Sequence, residues 1–160
     1  MQADAFDQDA FFAAIAGSGA RALLIGRQAL VLLGAPVVTG DYDFWIHIDD
    51  IERFNSALEP LELYPNRSPE EARQRGRYVL ENGERVDVLV ARAQPTIDGQ
   101  RVAFDDVWGR RSMRSISPGM AVAMPAISDL ILTKRFGARP RDAEDIRYLE
   151  MLLSKGGSDG

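Results

Sequence analysis

From Asp41 to Ile48 the chain alternates without a break: Tyr42, Phe44, Ile46 and Ile48 are apolar, and Asp41, Asp43, Trp45 and His47 fall between them. A period of two is what a strand with one face in a core requires, so this segment predicts a β-strand with one greasy and one mixed face. Asp41 and Asp43 then leave the same face, roughly 7 Å apart along the backbone. A second alternating strand is predicted over Val86, Val88 and Val90, with Arg85, Asp87 and Leu89 on its other face. Asp87, set between two valines, needs a partner, because a carboxylate taken out of water is costly. Three carboxylates on one sheet face can hold one or two hard divalent cations such as Mg2+, which prefer oxygen ligands and relieve like-charge repulsion. The same Asp-x-Asp pattern also suits turn chemistry at a solvated strand edge.

Helices and strands interleave around this pair. Phe6, Phe11, Phe12 and Ile15 recur at helical spacing, Ala22 to Ile25 reads as a short buried strand, and Gln28 to Leu33 as a helix ended by Gly34 and Pro36. Asp49 and Asp50 precede a helix over 51 to 58, and a short charged helix follows at 70 to 76. Tyr78 to Leu80, Asn82-Gly83 and Val86 to Val90 form a hairpin pattern. Gln100 to Phe104, a short helix from Asp106, and Arg114 to Ile116 are weaker, edge-like elements, and two helices are predicted over 128 to 136 and 141 to 153. The pattern predicts one α/β domain with a mixed sheet over residues 1 to 155 and a frayed tail at 156 to 160.

Composition narrows the function. The 160 residues carry 24 acids against 19 Lys plus Arg, net −5, so no global positive field exists to hold a nucleic-acid backbone. Residues 1 to 66 hold 10 acids and 3 bases, whereas residues 67 to 160 hold 14 acids and 16 bases. Without cysteine there is no disulfide, zinc-thiolate site or thiol nucleophile. The longest apolar run, Ala29 to Leu33, is far short of the roughly 18 residues of a membrane span. Asp4, Asp7 and Asp9 stand where a secretory signal carries Lys or Arg, so a cytoplasmic protein without a membrane partner is expected.

Other residues carry paired readings. Gly26, between strand and helix, stands where backbone N–H groups can meet a phosphate, or is simply a tight turn. Arg27 offers a fork suited to phosphate, or a solvated helix start. Lys134 is one of two lysines beside 17 arginines, so its compact ammonium suggests a phosphate contact; a solvated helix face is the plainer reading. Asp142 and Asp145 share a helix face and can pair with Lys134, Arg139 or Arg141. His47 either lines the pocket or is a hydrogen-bonded structural residue, and Trp45 either stacks a base or covers the sheet. Arg67, Arg73, Arg75 and Arg77, and Arg110, Arg111 and Arg114, are basic runs that read as solvated surface or as a rim for an RNA acceptor.

Leu24-Ile25-Gly26-Arg27-Gln28-Ala29-Leu30, then Gly34, then Thr39-Gly40-Asp41-Tyr42-Asp43, resembles the glycine turn plus Asp-x-Asp signature of the minimal nucleotidyltransferases. The branch most resembled is the one that includes abortive-infection and toxin–antitoxin nucleotidyltransferases. Met124-Pro125, Asp129-Leu130-Ile131, Lys134, Arg139-Pro140, Arg141-Asp142 and Asp145-Ile146 resemble its carboxy-terminal helical pair. The blocks cover residues 22 to 150. The resemblance implies a twisted mixed sheet flanked by helices, with Asp41, Asp43 and Asp87 holding Mg2+, two ions at most, and a nucleoside triphosphate. Gly26, Arg27 and Lys134 would contact the triphosphate, and a nucleoside monophosphate would pass to an RNA, protein or small-molecule hydroxyl. A toxin-type role with an antitoxin-type protein partner is a further implication. The chain departs from the family at Arg27, where Gly-Ser or Gly-Gly is usual, and at Val37-Val38, where toxin-like relatives often carry arginine. Those departures leave a rival open: a catalytically silent module of the same fold that binds nucleotide or a partner protein.

Overall fold

The computed structural model describes residues 6 to 137 and 139 to 156. The elements run α1 (Gln8–Gly17), β1 (Ala22–Ile25), α2 (Gly26–Leu32), β2 (Asp41–Ile46), α3 (Ile51–Leu58), β3 (Tyr64–Pro65), α4 (Pro69–Arg75), β4 (Arg77–Asn82), β5 (Glu84–Leu89), β6 (Ala93–Pro95), β7 (Arg101–Ala103), α5 (Phe104–Gly109), β8 (Ser112–Ser117), β9 (Met120–Met124), α6 (Ile127–Lys134) and α7 (Pro140–Gly156). Five strands form a mixed sheet in the order β1-β2-β5-β4-β3, in which only the β2–β5 pair is parallel. Two short hairpins, β6–β7 and β8–β9, lie outside it.

Local chemistry explains the boundaries near the site. Gly83, at φ +79°, turns the β4–β5 hairpin as the Asn-Gly pair predicts. Ser68 and Glu71 make a reciprocal capping box at the start of α4, Pro69 occupies its first turn, and Gly76 ends it in the left-handed region. This aims β4 back along the sheet.

Alternation divides β2 between two cores. Tyr42, Phe44 and Ile46 enter the main core with Phe11, Phe54 and Leu130, whereas Trp45 joins Leu23, Val102, Phe104 and Val107 in a smaller one. Trp45 is fully buried, its indole N–H donates to the Ala91 carbonyl at 2.9 Å, and Phe104 and Phe136 meet its ring edge-on. Of its two sequence readings, the structure shows the one that covers the sheet.

Several boundaries differ from expectation. β2 stops at Ile46, so His47 and Ile48 leave the strand although the alternation runs through them. The Asp50 carboxylate takes both the backbone N–H and the guanidinium of Arg21, and the His47 Nδ1 accepts the Asp49 N–H at 3.0 Å; together they turn the chain. α2 begins at Gly26 itself, α5 begins at Phe104 rather than Asp106, and β3, β6 and β9 were not expected. α7 runs to Gly156; the rest of the expected tail lies outside the described residues. Among the described residues no helix is long and apolar enough to cross a membrane.

Because Trp45 fills a core, Trp45→Ala is expected to destabilise the fold by about 3–5 kcal/mol in denaturant unfolding. A loss below about 0.5 kcal/mol, as at an exposed base-stacking position, would contradict this placement.

Candidate active site

The parallel pairing of β2 with β5 sets Asp43 directly opposite Asp87, and Asp41 opposite Arg85. The even positions of both strands face the core: Phe44 and Val86 are fully buried and Val88 nearly so. The odd positions therefore project to the other face. Three cross-strand rows result there: Asp41–Arg85–Glu81, Asp43–Asp87–Val79 and Trp45–Leu89–Arg77. Trp45 closes the sheet below, and the carboxylates stand at its open end.

Asp43 is the most constrained of the three acids. Burial raises its carboxyl to about 6, the charges of Asp87 and Asp41 push the same way, and Lys134 and Arg139 pull back. Gly26 lies against it at φ +71°, and a Cβ added there would overlap the Asp43 Oδ2 and come within 2.9 Å of its Cβ. Glycine is therefore required twice over, by backbone conformation and by the close approach of Asp43. Asp41 is exposed, and Asp87 receives a bidentate contact from Arg85, with Nε at 3.1 Å and Nη2 at 3.0 Å.

The other proposed contacts cluster around a different carboxylate. Asp145, on α7, takes the Lys134 Nζ at 2.9 Å and Arg27 at 3.2 and 3.3 Å. Burial alone would raise the Asp145 carboxyl, but the hydrogen bonds from Lys134 and Arg27 outweigh it and hold it below its ordinary value. Arg27 thus faces α7 and ties the start of α2 to it. Two cations on one carboxylate leave an excess positive charge, which Asp43 feels through Lys134. Arg139 is held beside it by Asp142, at 3.1 Å.

His47 does not join the carboxylates. It lies beyond the end of β2, buried against Phe104, with its Nε2 3.6 Å from Asp105. Arg73, Arg110 and Arg111 are spent elsewhere, on Glu52, on Asp129 and on the Trp108 ring. Arg67 and Arg77 instead line a cleft of about 430 Å³ with Asn66, Arg85, Asp43 and Asp87. Arg85 and Asn66 were not singled out from the sequence, although the period-2 pattern that marks Asp87 also puts Arg85 on its face.

No protein-family model matches the chain, and no curated protein matches its sequence. Solved structures do match. The antibiotic-resistance factor ANT(2'')-Ia, studied in solution for its substrate-regulated conformation dynamics, aligns over 91% of this chain and 81% of its own, with TM-score 0.63 and 14% identity. A provisionally assigned nucleotidyltransferase from Thermotoga maritima aligns over 91% and 89%, with TM-score 0.57 and 12% identity. The fold is that of the nucleotidyltransferases. These likenesses bear on the nucleotidyltransferase fold and not on its toxin–antitoxin branch.

As a donor set, the carboxylates of this nucleotidyltransferase fold suit a hard divalent cation. Asp43 and Asp87 are adjacent in register, and the Asp43 carboxyl, raised first by burial and then by the Asp87 charge, is one whose charged form a cation would stabilise. Among the described residues no three acids or imidazoles already form a cage, and Arg85 occupies Asp87.

Two outcomes follow from this geometry. Gly26→Ala must move Asp43 or distort the turn, and is expected to cost more than about 1 kcal/mol in unfolding experiments; a neutral substitution would contradict the close approach. Because the folded protein holds the Asp43 proton more tightly than the unfolded chain, its stabilising contribution is complete below about pH 4 and is lost as the pH rises through 6. Asp43→Asn removes that loss. Relative to wild type without metal, the variant is expected to gain about 1–3 kcal/mol between pH 4 and pH 8, and a pH-independent difference would overturn the assignment.

Proposed function

We propose that this protein is a divalent-metal-dependent nucleotidyltransferase, passing a nucleoside monophosphate from a nucleoside triphosphate to an acceptor hydroxyl. The observation that carries this reading is the in-register Asp43–Asp87 pair, with the Gly26 backbone closed against Asp43, on a nucleotidyltransferase fold. In the proposed site Asp41, Asp43 and Asp87 hold Mg2+, one ion or two, which when bound supplies charge neutralisation at the reacting phosphate. Lys134, Arg27 and Arg139 supply the positive flank for the triphosphate. Gly26 keeps the space beside Asp43 clear of a side chain.

In the reaction the acceptor oxygen bonds to the α-phosphorus, and the bond from that phosphorus to the oxygen bridging to the β-phosphorus breaks. Pyrophosphate leaves with that electron pair, and the hydroxyl proton passes to Asp87 once Arg85 releases it. The protein's part is mainly positioning and electrostatics.

The Arg85–Asp87 contact favours a second reading, the catalytically silent module. There, nucleotide binding would persist without transfer.

Incubation with an α-labelled triphosphate and Mg2+ separates the two. The proposed function predicts label transferred to an acceptor, reduced on the order of 10²-fold or more in Asp43→Ala and Asp87→Ala. Binding of the triphosphate without transfer would support the silent module, and full activity in both variants would show the site to be elsewhere.

A further inference from the structure

The cleft beside the carboxylates has an electrostatic character that the proposed reaction does not by itself require. In the strand order β1-β2-β5-β4-β3, Arg27 follows β1 on one side of the carboxylate pair, whereas Arg77 lies on β4 and Arg67 beyond β3 on the other. Arg67 and Arg77 therefore lie across Asp43 and Asp87 from Arg27, in a cleft that also reaches Ile25 and Phe136. Arg77 sits one row from Asp87 on the β4 side, and Asn66 is anchored to the middle row, its side chain accepting the Val79 N–H at 2.9 Å.

Charge pairing distinguishes these arginines. Arg85 is neutralised by Asp87. Arg67 gives one N–H to the Arg77 carbonyl at 2.7 Å, and among the described residues neither the Arg67 nor the Arg77 guanidinium is paired with a carboxylate. Among the described residues the only acids lining the cleft are Asp43 and Asp87, two of the proposed metal ligands. Once those are neutralised, the remaining wall is cationic, repels a cationic acceptor, and offers the planar donor forks of Arg67 and Arg77 from different elements, beside Arg85 once it leaves Asp87. Two such forks match a phosphate, which has oxygens enough for both. A volume of about 430 Å³ falls in the range of small-ligand sites.

Resting on the proposed function, we infer that the acceptor carries a phosphate group near its reactive hydroxyl, and that Arg67 and Arg77 hold this phosphate. The shared chemistry has two sources, the terminal phosphodiester of a nucleic-acid strand and a small phosphorylated hydroxyl compound.

Calorimetry with Mg2+ but without triphosphate tests the contact directly, since the metal is what neutralises Asp43 and Asp87. The probes are ribose 5-phosphate, ribose, and a short oligoribonucleotide with a free 3′-hydroxyl. At least one phosphate-bearing probe is expected to bind and ribose not to, and Arg67→Ala/Arg77→Ala is expected to weaken that binding roughly 10- to 100-fold. Arg101→Ala, an exposed change on β7, should leave it unaffected. Binding of the oligonucleotide alone would identify a strand terminus, and binding of ribose 5-phosphate would identify a small acceptor. Affinity for Mg2+-ATP, measured in parallel, is expected to stay within about twofold in the double variant. A matching loss of Mg2+-ATP affinity would mean that these arginines grip the triphosphate, and equal binding of ribose and ribose 5-phosphate would remove the phosphate contact; either overturns the inference. If wild type binds a phosphate probe through Arg67 and Arg77 but binds no Mg2+-ATP, the phosphate site stands and the transferase reading fails.

Discussion

The site depends on one unfavourable juxtaposition. Two carboxylates, Asp43 and Asp87, are held side by side by the parallel pairing of β2 with β5 in the central sheet. Neither can move along its strand, because a one-residue slip would turn Phe44, Val86 and Val88 out of the core. Hydrophobic burial on one face thus enforces the juxtaposition on the other, where burial of Asp43 first and the charge of Asp87 second raise its carboxyl. β1 adds the third constraint: its antiparallel register puts Ile25 opposite Asp43, and the next residue, Gly26, must turn with a positive φ against the carboxylate.

The cations are arranged around this conflict without cancelling it. Lys134 and Arg27 converge on Asp145, Arg139 on Asp142, and Arg85 on Asp87. The Asp145 cluster is a buried network joining α2, α6 and α7, so the helical pair at the carboxy terminus both packs the fold and projects positive charge toward Asp43. A net charge of −5 is therefore no guide to the local field. The acidic first part of the chain contributes Asp41 and Asp43, and the more basic remainder contributes the groups around them.

Much of this was legible in the sequence, for physical reasons. Alternation over Asp41 to Ile46 and over Val86 to Leu89 reports directly which side chains share a face, so Asp41 could be set with Asp43 and Asp87 given a face of its own strand from spacing, whereas the pairing of β2 with β5 that brings Asp43 to Asp87 could not. The i, i+3 acids Asp142 and Asp145 were expected to pair with Lys134, Arg139 or Arg141, and pair with Lys134 and Arg139. His47 shows where the pattern misleads: period-2 hydropathy continues to Ile48, but the Arg21–Asp50 contact, 29 residues apart in the chain, bends the backbone first. Arg27 is another case, since its partner Asp145 is 118 residues away and no local signal could announce it. β3 and β6 are only two and three residues long, too short to register as alternation. The requirement for Gly26 was visible, but its immediate cause, the Asp43 side chain, was not.

The most direct test of the central claim is a crystal structure of the protein with Mn2+ and a non-hydrolysable nucleoside triphosphate, using anomalous scattering to locate the metal. A metal peak is expected between Asp43 and Asp87, with the triphosphate on the side of Lys134 and Arg139 and the Arg85–Asp87 contact opened. A metal–nucleotide complex bound away from Asp43 and Asp87, with their carboxylates unaltered, would contradict it.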